Sequence, residues 1–205
     1  MDALDTTHLV ALAAALGWAS GLRLYAVLLI TGLVGLAGWV ELPAGLRVLE
    51  HPMVLGASGF MFVLEFLADK IPGIDSLWDM LQTVVRIPAG AALAAAVFGA
   101  DQGTMAVVAA VLGGALAATS HATKATTRAA INTSPEPFSN LGMSFAEEGL
   151  VAGGLWLAWT APVVFLIVLA LMVVGMVVLT WWLWRFLRQA FGRLRRLFMG
   201  TPASP

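Results

Sequence analysis

The chain contains no cysteine. That absence removes disulfides, thiolate metal sites and cysteine nucleophiles, and it gives no redox indication of compartment. Charge is almost as scarce. Only 11% of the 205 residues are charged, against about 25% in a soluble domain. Also missing is a basic stretch at the N-terminus (MDALDTTHLV), so no cleaved signal peptide is expected. There is no P-loop, no HExxH metal motif and no GxSxG elbow. His121 has no second histidine at ligand spacing, so neither a metal nor a cofactor is expected. What remains is oil. Hydrophobic residues make up 60% of the chain and mean hydropathy is +0.90. Several long apolar runs then specify an all-α, polytopic transmembrane helix bundle.

The runs give about six spans. Leu9 to Val40 is too long for one simple helix and holds Arg23 near its middle. The expectation is a helix over 7–19, a break at Ser20-Gly21 and a span over 23–40. The first piece crosses, re-enters or lies at the interface. Residues 41–52 form a loop, and further spans follow at about 53–69, 88–100, 104–121, 143–160 and 163–184. Pro162 divides the last two. Residues 1–184 make one transmembrane domain, and 185–205 a basic amphipathic tail.

Five of the eleven Lys and Arg residues lie in that tail: Arg185, Arg188, Arg193, Arg195 and Arg196. By the positive-inside rule the tail is cytoplasmic, in a bacterial inner membrane. Counting spans backwards leaves only Arg47 outside. The arginines are a topology signal and a contact for lipid headgroups. Nucleic acid is not an expected partner. Trp181, Trp182 and Trp184 stand where interfacial aromatics belong.

Two polar islands interrupt the apolar chain, Glu65 to Arg86 and Thr119 to Asn140. Ionisable groups beside membrane spans are functional candidates by default. In the first island, Glu65 and Asp69 share a helix face at i, i+4. Asp75 is placed to N-cap the next helix. Asp75, Asp79, Gln82 and Arg86 form one polar stripe opposite Leu77, Trp78, Leu81 and Val85. Glu65, Asp69, Asp75 and Asp79 are the candidates for coupling protons or cations, because carboxylates crowded in a poorly hydrated site hold protons more readily. The plainer interpretation is a solvated amphipathic helix on the membrane surface.

In the second island His121, Lys124 and Arg128 share a face among threonines and alanines. With Arg23 and Asn132 they are the candidates for binding a phosphate or carboxylate group. The plainer interpretation pairs Lys124 and Arg128 with Asp69, Asp75 or Asp79. For Arg23 it is snorkelling to the headgroups. At each island a span runs into charged residues and then meets proline, Pro72 before a polar helix in the first and Pro135 and Pro137 before an apolar helix in the second. The two Pro-broken helix–loop–helix elements form a weak internal repeat of the kind transporters carry.

The phrases ASGLRLY, LEFLADKIPGIDSLWD and SHATKATTRAAINTSPEPFSN together resemble a family of bacterial integral membrane proteins described as a domain of unknown function, over roughly residues 10–180. The resemblance implies a polytopic inner-membrane protein. It supplies no catalytic residues.

Two functions from different classes follow. One is a small transporter or channel for an anionic or lipid-linked phosphate substrate, coupled to protons or cations. The other is a structural or assembly protein whose islands form a salt-bridged cytoplasmic cap, with Gly/Ala-rich helices packing into a homo-oligomer or against a partner. A membrane enzyme with Asp79 or His121 as base ranks below both, since no spacing selects a reaction. Membrane lipids are expected partners in every case.

Overall fold

The computed structural model describes residues 5–71, 73–100, 102–133 and 137–199. Among these every regular element is a helix. The elements are α1 (Thr6–Leu36), a short 3-10 helix (Ala44–Glu50), α2 (Pro52–Ala68), α3 (Ile74–Phe98), α4 (Gly103–Ile131), α5 (Pro137–Thr160) and α6 (Pro162–Met199). Local chemistry sets several ends. Asp5 caps α1 by accepting from the His8 amide at 2.8 Å. His51 caps α2, with Pro52 in its first turn. Gly99, at φ +65°, ends α3 in a conformation that only glycine adopts cheaply. Pro162 opens α6 immediately after α5, as expected.

Three boundaries differ from expectation. Ser20 and Gly21 stay helical, and the backbone leaves helical geometry at Arg23 instead (φ −147°, ψ 75°). The polar stripe 75–86 and the apolar run 88–98 form one helix, α3, which passes through Pro88. Membrane helices tolerate proline where neighbours hold the segment. α4 likewise runs on from the expected span 104–121 without a break and carries the second island's helical face, as far as Ile131. Asp75 is not an N-cap. It sits in the first turn of α3 and accepts from the Gly73 and Ser76 amides. Two of the prolines within the islands, Pro72 and Pro135, and the turn residue Asp101 lie outside the described residues.

Among the described residues four helices are long and apolar enough to cross a membrane: α1, α3, α4 and Pro162–Gln189 of α6. The 3-10 helix and α2, bent by 69°, would make a fifth as one broken span. α5, which carries Glu147 and Glu148, is not among them. Length alone overstates α1. Gly17 and Gly21 press on Gly113 and Ala117, so the first limb of α1 runs parallel to α4. Gly59 meets Leu29, and Gly32 meets Leu55, so the second limb runs antiparallel to α2. α2 and α4 both run toward the charged residues, Glu65 and Asp69 on one and Lys124 and Arg128 on the other. α1 therefore approaches that level, turns at Arg23 and goes back.

The turning helix is the centre of the bundle. Ala11, Ala15, Leu16, Trp18 and Ala19 are buried against Leu93 and Val97 of α3, Val151 and Leu155 of α5, and Phe165 of α6. Glycine and alanine bring α1, α3 and α4 close, as membrane interfaces require. A Cβ at Gly17 would stand 2.5 Å from the Gly113 Cα. α3 is inverted relative to a soluble amphipathic helix. Its polar stripe Asp75, Asp79, Gln82 and Arg86 is buried, while Leu77, Leu81 and Val84 face outward. The surface-helix interpretation of the first island is therefore overturned. Val84 (78% exposed), Val107 (66%) and Leu171 (69%) belong to an apolar exterior that suits lipid and would be a liability in water.

Candidate functional site: a buried ionic cluster

The break in α1 exposes backbone and turns one side chain inward. Arg23 is fully buried. Its Nη2 lies 2.7 Å from Asp69 Oδ2 and donates to Ser144 Oγ at 2.7 Å. Its Nε donates to Glu147 Oε2 at 3.2 Å. Nη1 faces Glu148 Oε1 at 3.6 Å. Arg23 does not snorkel. Three carboxylates from the end of α2 and from α5 hold it.

Lys124 occupies the middle. From α4 its Nζ donates to the Leu22 carbonyl at 3.1 Å, next to the break. Four carboxylates surround the same ammonium: Glu147 at 3.3 Å, Asp69 and Asp79 at 3.4 Å, and Glu65 at 3.8 Å. Arg128, one turn further on, grips both Glu147 oxygens at 3.1 and 3.3 Å and donates to the Asp69 carbonyl at 2.9 Å. Arg86 bridges Glu65 (2.5 Å) and Asp79 (2.8 Å), joining α2 to α3. The ledger balances. Four cations, Arg23, Arg86, Lys124 and Arg128, meet four buried carboxylates, Glu65, Asp69, Asp79 and Glu147. Isolated ions could not stay charged in such a place, whereas paired ones can. One oxygen each of Glu65, Asp69 and Asp79 is buried without a hydrogen-bond partner among the described residues.

His121 stands at the rim. Its Nδ1 lies 3.3 Å from Arg86 Nη1 and its Nε2 2.7 Å from Thr83 Oγ1. Thr83 in turn donates to the Asp79 carbonyl. Since Arg86 has only donors, Nδ1 accepts, and the ring is the neutral tautomer with its proton on Nε2. Glu148 is the partly exposed member, at 23% for its side chain. Beside it Lys70, past the end of α2, sits over the Phe66 ring at 2.6 Å and near that of Phe145 at 5.6 Å. Burial pushes the Lys70 ammonium below its usual range, opposed by the attraction of Glu148.

Six of the nine expected site residues thus meet in one cluster: Arg23, Glu65, Asp69, Asp79, Lys124 and Arg128. His121 touches it through Arg86. Asp75 and Asn132 do not join it. They form a separate knot, in which the Asn132 amide donates to both Asp75 oxygens at 2.9 Å and accepts from Asn140. The pairing expected for Lys124 and Arg128 is present with Asp69, and for Lys124 with Asp79, but not with Asp75. Arg86 and Glu147 were not among the expected site residues, yet they complete the charge balance. Glu147 stands beside Glu148 at the start of the fifth expected span, a weaker signal than that of Glu65, which lies within an apolar run. No group of His, Asp and Glu among the described residues is arranged to hold a metal ion.

A family model for a domain of unknown function, DUF4126, matches residues 10–185. The chain belongs to that family. No curated protein and no solved structure matches it. The DUF4126 match spans α1 to the Trp-rich part of α6, so every residue of the cluster lies within it. The family's description assigns no activity, so the cluster's role has to be argued from its chemistry.

Proposed function

We propose that this DUF4126 protein is a small membrane transporter for an anionic group, coupled to protons. The observation that carries the proposal is the break at Arg23, where a helix turns back among the buried ions. Broken helices that present charge at membrane depth are how transporters build substrate sites. The cluster also costs more than a structural role needs, because apolar packing of the same volume is commonly as stable or more so.

The mechanism follows from the balance. In the resting arrangement Asp69, Asp79, Glu65 and Glu147 occupy the cations that would bind substrate. An entering phosphate or carboxylate competes with them for Lys124, Arg128 and Arg23. Each negative charge admitted unbalances the cluster by one. A proton taken up by one carboxylate restores it. The three carboxylates with an unpartnered oxygen are the acceptors of choice. Positive-inside counting assigns the charged end and the C-terminus to the cytoplasm of a bacterial inner membrane.

The test is flux in proteoliposomes holding the purified chain, with inorganic phosphate, a phosphate monoester and a dicarboxylate as probes and a proton gradient as the drive. Uptake should rise with the gradient and fall in Glu65→Gln, Lys124→Met and Arg128→Gln. If all three variants transport as well as the wild type, the proposal fails.

A second reading has its own support. Every cation of the cluster is already paired, which suits a closed cap tying α1 to α5 together for assembly, as monomer or homo-oligomer. In that case Lys124→Glu should be rescued by Asp79→Lys, and no flux should be found.

A further inference from the structure

The seam between α4 and α6 carries a second feature, remote from the ions. Leu166, Val173, Val177 and Trp184 fall on one stripe of α6, at helical spacing. Met105, Leu112, Thr119 and Ala122 form the matching stripe of α4. Along them run two clefts of about 390 and 550 Å³ that share Thr119 as a wall, the first also lined by Val10, Ala13 and Ala14 of α1 and by Phe98 of α3. From Met105 to Ala122 the groove is about 25 Å long at ~1.5 Å per residue, most of a ~30 Å hydrocarbon core. Its hydroxyls are spent. Thr119 donates to the Ala115 carbonyl, and Thr180 bonds Thr123. Nothing polar in the walls asks for a polar ligand.

One end differs. There Trp181 and Trp184 are exposed, and the Arg185 guanidinium stacks over Trp181 at 4.7 Å. Arg188 follows, exposed, one turn beyond Trp184. Indoles with arginines mark the headgroup level, where cations attract anionic lipids. A helix about 10 Å across and as long as the groove would fill roughly 2,000 Å³, more than the two clefts hold. A single hydrocarbon chain is thinner.

We propose that the α4–α6 groove is a binding site for an anionic phospholipid, with one acyl chain between the stripes and its phosphate at Arg185 and Arg188. The site is independent of the transport proposal, since it shares no residue with the cluster.

The experiment is native mass spectrometry of the delipidated full-length chain, given equal amounts of phosphatidylglycerol and phosphatidylcholine with the same acyl chains. The wild type should retain phosphatidylglycerol about tenfold better or more, as two arginines near an anionic headgroup would give. Arg185→Gln with Arg188→Gln should bring the ratio close to one. Ala115→Phe with Ala122→Phe, both at exposed positions, should abolish retention of both lipids. Leu at the same two sites is the milder filling should Phe disturb folding. Equal retention by the wild type would overturn the proposal, as would a filled groove that still holds lipid. A wild-type dimer that the filled groove turns into a monomer would also overturn it, by naming a second copy as the occupant.

Discussion

Arg23 and Asp69, 46 positions apart in the chain, approach to 2.7 Å where the turn of α1 meets the end of α2, and neither is exposed. This pair couples the one break in α1 to the first polar island. Removing one partner leaves an uncompensated buried charge, which costs about 3–5 kcal/mol. Asp69→Asn and Arg23→Gln should each lower thermal stability sharply in lipid micelles. The double variant should lose less than the sum of the two. Additive losses would show that the two side chains do not act as a pair.

The glycines of the bundle divide into two kinds, and substitution should separate them. Gly17 faces Gly113 so closely that any Cβ must push the helices apart. Gly17→Ala should destabilise by about 1–3 kcal/mol, the usual cost of overpacking. Gly56 and Gly153 have open space where a Cβ would go. Alanine at either should be neutral or stabilise by up to about 1 kcal/mol through helix propensity. Melting of the three variants in one detergent checks both halves.

The bundle and its polar islands were legible because lipid solvation imposes a strong composition and because unpaired charge is rare in apolar runs. Which charges meet was not legible. Arg86 and Glu147 join Arg23, Glu65 and Lys124 across long stretches of chain, and spacing within a helix carries no information about such partners. The break falls at Arg23 and not at Ser20-Gly21 for a physical reason. Both residues are small because neighbouring helices pass close by, Gly21 being pressed on Ala117 of α4 and Ser20 facing Gly90 of α3. Small residues signal close approach in a membrane helix as often as they signal a turn. The inverted face of α3 follows from the same solvent. A stripe of Asp and Arg reads as outward in water and inward in lipid.

Asp75 and Asn132 offer a control for the ionic cluster. Their knot joins the start of α3 to the end of α4, and the Asp75 and Asn132 side chains bond none of the four cation side chains; it meets the cluster at the Asn140 carbonyl, which accepts from Arg128 at 3.5 Å. Asn132→Ala leaves a buried carboxylate short of two hydrogen bonds, at a cost of about 1–3 kcal/mol. Stability should fall by that amount. The proton dependence of any flux, measured per folded molecule, should stay as in the wild type. A changed dependence would bring the knot into the site.

Lys124 is the decisive position, because four carboxylates share its ammonium. Lys124→Met would leave Glu65, Asp69, Asp79 and Glu147 with one cation too few. Burial then favours protonation of one of them, so the variant should take up one extra proton on folding. Its stability should therefore fall as pH rises, relative to the wild type. The sign is fixed: a carboxyl whose folded pKa is raised contributes stability below its unfolded pKa and loses it as pH climbs toward the folded value. Glu65→Gln in the same chain removes the surplus charge and should flatten that pH dependence. Melting curves from pH 5 to 9 on the wild type, the single and the double variant give the comparison. A Lys124→Met variant as pH-independent as the wild type would mean that the four carboxylates do not share one charge balance, and the one-proton-per-charge exchange would go with it.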